Sequence, residues 1–276
     1  MPKFTLEPVE EIHLHRAPLA KVLMQVQYSR TPGLVTDTAE AAIADVLGRY
    51  PVRRRQVVAG ALPNVMVNGQ PLQLPGNITP GVVLAFADPK GVWQVTVTET
   101  AVALETAEYS SRDDFCDRST EVFEALAGVL LPPVVDRVGL RYIDRLDSDA
   151  VDKVPEFFIP ELRSLVGCVA EPLGIVHSIT QTQLAVGENE SLQVRSGLVP
   201  PGMAIDPALP PAAASSWILD MDVFTTVAGF AFDPKELSEK LRHFAEVAYA
   251  FFRFATTDAF QEAFRGEPAP IVGDAQ

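Results

Sequence analysis

The sequence predicts an α+β fold: a β-α-β(3-4)-α unit in tandem duplication, its antiparallel curved sheets carrying long helices on one face. Three observations carry that prediction. The stretch PLAKVLMQVQY from Pro18 aligns without a gap on PPVVDRVGLRY from Pro132. Each half has an alternating strand opened by a tryptophan, Trp93 and Trp217, with a capped helix 16 to 18 residues later. Both of those helices carry an apolar stripe that needs a sheet to bury it.

The elements follow in order. Val22, Met24, Val26 and Tyr28 share one face at period two, which makes residues 21–29 a half-buried strand. Thr36 or Asp37 caps a helix with Ile43, Val46 and Leu47 on its apolar side, and Gly48 and Pro51 stop it. Residues 52–59, 82–88, 93–99 and 102–108 read as strands, the last two divided at Thr100 and Ala101. Ser111 caps the next helix, its hydroxyl placed to accept from the Asp114 amide. Phe115, Val122, Phe123, Leu126 and Leu130 form the stripe, and Pro132 and Pro133 end it because the ring cannot continue the hydrogen-bond ladder.

The pattern then restarts, with Val138, Leu140 and Tyr142 in the places of Met24, Val26 and Tyr28. A short helix is expected over 155–166, closed by Gly167, then strands near 173–186 and 191–198 and one beginning at Trp217. Asp233-Pro-Lys-Glu opens the last helix with a capping Asp and Pro at the first position. Leu237, Leu241, Phe244, Ala248, Phe251 and Ala255 face one way behind it. The repeats run over 17–131 and 132–264, giving a first domain of 1–131 with an N-terminal extension and a second of 132–276 with a C-terminal tail. The two form one pseudo-symmetric body. Loops 60–81 and 199–216, rich in Pro, Gly and small residues, occupy equivalent places and are candidate binding elements.

Composition narrows the function. With 276 residues and 47% hydrophobic content the chain can bury a large core. Its 22 basic and 36 acidic residues give a net charge of −14, which disfavours nucleic acid and anionic membrane surfaces. The run Arg53, Arg54, Arg55 is a local exception, read as a solvated or ion-paired strand start. Cys116 and Cys168 form no metal or disulfide pattern and are expected to be small buried residues. The N-terminus lacks the apolar core of a signal peptide, and no apolar stretch is long enough to span a bilayer, so a cytoplasmic address is expected.

Two sets of charged residues could form a site. Arg137, Arg141 and Arg145 alternate on one face of RVGLRYIDR, with Val138, Leu140, Tyr142 and Asp144 on the other. The arginines could bind an acidic ligand or partner, or face solvent paired with neighbouring acids. Asp220 and Asp222 share a strand face and could hold a cation with a third ligand, or pair with Arg141 and Arg145 across the sheet. Tyr142 offers a hydroxyl to a buried partner. His13 and His15 form an H-x-H, yet His177 and His243 complete no ligand set, so neither a metal nor a cofactor is implied. Serine-nucleophile, phosphate-loop and dinucleotide glycine motifs are absent from the sequence.

The element order resembles the saddle of TATA-binding-protein-like folds and the related helix-grip folds. The sequence is also similar to a sporadically distributed family of uncharacterised bacterial proteins. Ala17-Pro18-Leu19 to Tyr28 matches its APLxxVxxQVxY opening, Gly139 to Arg145 its GLRYIxR segment, and Leu219-Asp220-Met221-Asp222-Val223 the strand before its long helix. The resemblance spans most of the chain and implies an accessory role such as defence, toxin neutralisation or a mobile element. The final strands and helix also resemble export-chaperone-like domains that bind extended peptides.

Two functions follow as expectations. One is a non-enzymatic protein-binding role that uses the sheet face or the two loops to hold a partner, the acidic surface being suited to a basic one. The other is a small-molecule or peptide binder, or an enzyme, with a cavity between a long helix and its sheet. Val247, Phe254, Tyr249 and Phe252 lie off the main stripe of the last helix, which predicts a homodimer or heteromeric complex to cover them.

Overall fold

The computed structural model describes residues 3–7, 9–12, 14–58, 66–67, 70–71, 81–129, 134–169, 173–203 and 209–266. Its strands are β1 (Leu19–Tyr28), β2 (Val52–Val58), β3 (Met66–Val67), β4 (Gln70–Pro71), β5 (Gly81–Ala87), β6 (Trp93–Val97), β7 (Ala101–Thr106), β8 (Val135–Asp147), β9 (Ser178–Gly187), β10 (Glu190–Val199) and β11 (Ser216–Thr225). The helices are α1 (Asp37–Val46), α2 (Arg112–Val129), α3 (Ser148–Val151), α4 (Val154–Phe157), α5 (Pro160–Arg163), α6 (Pro234–Ala255) and α7 (Asp258–Arg265). Nine strands form one sheet in the order β2-β5-β6-β7-β1-β8-β11-β10-β9, and β3 pairs with β4 apart from it. Every pairing in the large sheet is antiparallel.

Period-two alternation sends one residue in two toward the helices, and the registers line those residues into rows. One row crosses seven strands: Phe86, Val95, Leu104, Met24, Leu140, Val223 and Leu192. All seven are buried. Above it lie α2 and α6, whose stripes turn Phe115, Phe123 and Leu126, and Leu237, Leu241 and Phe244, onto the sheet. The two helices also touch each other, with the Thr120 hydroxyl donating to Ser238 Oγ at 2.8 Å.

The caps hold where the sequence places them. Thr36 accepts from the Ala39 amide at 3.2 Å, Ser111 from Asp114 at 3.1 Å, and Asp233 from Lys235 and Glu236 at 2.9 and 3.0 Å. Where one helix is expected over 155–166 the chain instead makes two single turns, α4 and α5, since Pro155 and Pro160 each start a new one. Gly197 takes φ +151° opposite β9, where a Cβ would overlap the Ser178 carbonyl oxygen, so only glycine fits this crossing. Pro132, Pro133, His13 and most of loop 60–81 lie outside the described residues.

Three expectations change. The tryptophans are not equivalent: Trp93 is on β6, two strands from β1, whereas Trp217 is on β11, adjacent to β8. Their shared alternation reflects only that both strands have a buried face. Cys116 is buried but Cys168 is exposed. The extra apolar surface of α6 is covered within the chain, where Val247 and Phe252 are buried. Phe4 packs on Phe251 and Phe254 at 5.3 and 5.6 Å, and Phe260 of α7 on Phe252 at 5.5 Å. The helix therefore gives no reason of its own for a partner. No helix among the described residues is long and apolar enough to cross a membrane.

Candidate functional site

The charged residues singled out in the sequence divide between the two faces of the sheet. Arg137, Arg141, Arg145, Asp220 and Asp222 occupy the face away from α2 and α6. There the arginines and aspartates bind one another. Arg141 grips Asp220 in bidentate fashion, Nε to Oδ1 at 2.7 Å and an Nη to Oδ2 at 2.8 Å, and Arg195 of β10 reaches the same carboxylate at 2.7 Å. Arg137 donates to Asp222 at 2.7 Å and lies over the Phe224 ring at 4.5 Å. Arg145 donates to the Pro210 carbonyl at 3.0 Å and stands 3.4 Å from Asp147 rather than from either strand aspartate. Burial holds Asp222 above the usual carboxylate range, against the pull of Arg137 and Arg141. These groups pair internally as the sequence allows, with Arg195 an addition. The run at Arg53–Arg55 is similar in part, since Arg55 binds Asp37 and Glu40, each at 2.8 Å.

Tyr142 belongs to the opposite, helix-covered face and leads to a different place. The register puts it beside Val22 and Met221. Two residues on, Asp144 sits between Leu19 and Leu219. Asp144 is only 3% exposed. Among the described residues no group hydrogen-bonds its carboxyl or pairs with it. Burial pushes its pKa up to about 7, and the nearby Asp220 charge adds to the rise.

Asp144 and Tyr142 line a cavity of about 500 Å³ between the end of the sheet and α6. Two aromatic pairs stand in its walls. Tyr109, carried on the turn between β7 and α2, meets Tyr142 edge-on at 5.8 Å, while Tyr249 and Phe252 of α6 stack at 6.4 Å. Burial drives the Tyr142 hydroxyl well above its ordinary range, and Tyr109 pushes it further. Tyr109 is raised by burial as well. Both phenols therefore stay protonated at neutral pH and can donate as well as accept.

The N-terminal extension is the outer wall. Tyr249 Oη accepts from the Ile12 amide at 2.6 Å and donates to the Glu10 carbonyl at 3.2 Å. Arg253 donates to the same carbonyl at 2.9 Å, and Glu11 bridges to Arg112 at 3.0 Å. The amides of His15 and Arg16 donate to the end of α7 at 3.0 and 3.1 Å. His15 lines the cavity, but no group of three or more metal-ligating side chains occurs among the described residues. His243 is elsewhere, 3.0 Å from Glu190.

Compared with known proteins, the chain matches no family model, no curated protein and no solved structure. Its site is read from its own geometry: an α+β protein with a polar, aromatic-walled cavity between a long helix and the sheet.

Proposed function

We propose that this chain binds a small molecule in the cavity between α6 and the sheet. The observation that carries the reading is Asp144, a buried carboxyl without a partner among the described residues, in a cavity of about 500 Å³. A carboxyl buried without a hydrogen bond is costly to any fold. A ligand that supplies the missing partner offsets that cost on binding, which is the usual mark of a recognition group rather than of core packing. The volume suits a compact metabolite rather than a folded partner. This takes the cavity-binding function ahead of the protein-binding one, because the charges of the open sheet face satisfy each other.

Ala248 of α6 lines the cavity, so Ala248→Leu fills part of it with a good helix former. The test is to equilibrate wild type and variant with a host metabolite extract, wash by ultrafiltration, denature and identify retained compounds by mass spectrometry. Wild type is expected to retain at least one compound that the variant, with an unchanged circular dichroism spectrum, does not. Identical retention profiles would refute the reading.

We further propose that the fold is a tandem duplication of the saddle or helix-grip kind, with the bacterial-family resemblance following from it. The support is the strand order, which reads alike outward from the central β1–β8 pair: β7, β6, β5 on one side and β11, β10, β9 on the other. Each half closes with its long helix on the same face. The first half has an additional edge strand, β2.

A further inference from the structure

Resting on that cavity-binding reading, we infer that the ligand is an organic amine, bound as its ammonium ion against the Asp144 carboxylate and between the aromatic walls. Three features of the site point to a cation. Among the described residues Asp144 is an acceptor with no hydrogen-bond donor, flanked in the register by Leu19 and Leu219, which offer none. An ammonium group brings three N–H donors and the opposite charge, and it forms a short charge-assisted bond in a setting where water competes poorly.

The walls suit the same ion. Tyr109 and Tyr142 on the sheet side, with Tyr249 and Phe252 on the helix side, line the same cavity as the carboxyl. Aromatic faces attract ammonium groups, most strongly when both are shielded from water. Arg112, the one arginine in the lining among the described residues, is neutralised by Glu11 at 3.0 Å and so offers little to an acid. The apolar remainder, with Leu19, Met221 and Ala248, leaves room for an aromatic or aliphatic body attached to the amine.

Isothermal titration with two matched sets tests the inference: tryptamine, tryptophol and indole-3-acetate, then hexylamine, hexanol and hexanoate. Wild type is expected to bind the amine of at least one set about tenfold or more tighter than its alcohol and acid. Asp144→Asn should abolish that preference while leaving the alcohol affinity within about twofold. An alcohol or acid that binds as tightly as its amine, or an amine preference that survives in Asp144→Asn, overturns the inference. If none of the six binds and the compounds retained only by wild type over Ala248→Leu carry no amine, the ligand class is wrong and the cavity reading stands. If none binds and the retention profiles are identical, both fall.

Discussion

Replacing Asp144 by Asn is expected to stabilise the protein at pH 8 by roughly 4 kcal/mol and to have almost no effect near pH 4. The sign follows from the direction of the shift. Burial raises the folded-state pKa from the ordinary 3.8 to about 7. Below the lower value the carboxyl is protonated in both states and contributes no pH dependence. Between the two values the folded chain holds a proton that the unfolded chain has released, so stability falls by about 1.4 kcal/mol per pH unit. Above pH 7 both states are ionised and the full penalty is present. Asn keeps the shape and cannot ionise, which removes the slope. Urea denaturation of both proteins at pH 4, 6 and 8 measures it, and a stability difference that stays constant across that range would contradict the assignment.

The opposite outcome is expected one strand away. Asp220→Ala should destabilise by about 3 kcal/mol, because it removes a buried carboxylate that accepts hydrogen bonds from both Arg141 and Arg195. The Asp220 side chain is 3% exposed and the two arginines 15% and 19%, so water cannot readily take its place. Asp222→Ala should cost clearly less, since Asp222 is more accessible at 19% and its direct bond is to Arg137. Equal losses for the two variants, measured by urea denaturation at pH 7, would mean that the paired guanidiniums are better solvated than their burial implies. Removing Asp220 also takes away a charge that raises Asp144, so the Asp144 titration should move to lower pH in that variant.

Most of the fold was legible because period-two strands and capped helices are local signals. Thr36, Ser111 and Asp233 announce helix starts through their own backbone bonds. Strand pairing is not local, which is why the two tryptophans misled: both begin alternating strands, yet their places depend on how many strands each half contributes. The same distinction divides the charged residues. That arginines and aspartates would share a face follows from parity alone. Which ones pair depends on reach, since Arg141 lies opposite Asp222 in the register but binds Asp220 on the diagonal.

The cavity was half visible. Parity places Asp144 on the same face as Val138 and Leu140, and a carboxyl on an apolar face is a signal in its own right. What no periodicity reveals is that residues 10–12 and Tyr249, 237 positions apart at the Ile12–Tyr249 bond, meet to wall it in. Tyr109 comes from a turn, where sequence patterns say least about side-chain direction. The aromatic residues of α6 were legible as a stripe with others beside it, and the structure puts Phe244 of the stripe on the sheet and Tyr249 from beside it in the cavity wall.

The most direct measurement is a carbon-13 NMR titration of the Asp144 carboxyl, assigned by its loss in Asp144→Asn, without and with a saturating amount of whichever amine, tryptamine or hexylamine, binds more tightly. The free protein should titrate at about 7, and the amine should move the midpoint down by at least one unit as the ammonium favours the ionised form. A midpoint in the ordinary range near 3.8, or one that the bound amine leaves in place, would contradict a buried carboxyl waiting for a cationic ligand.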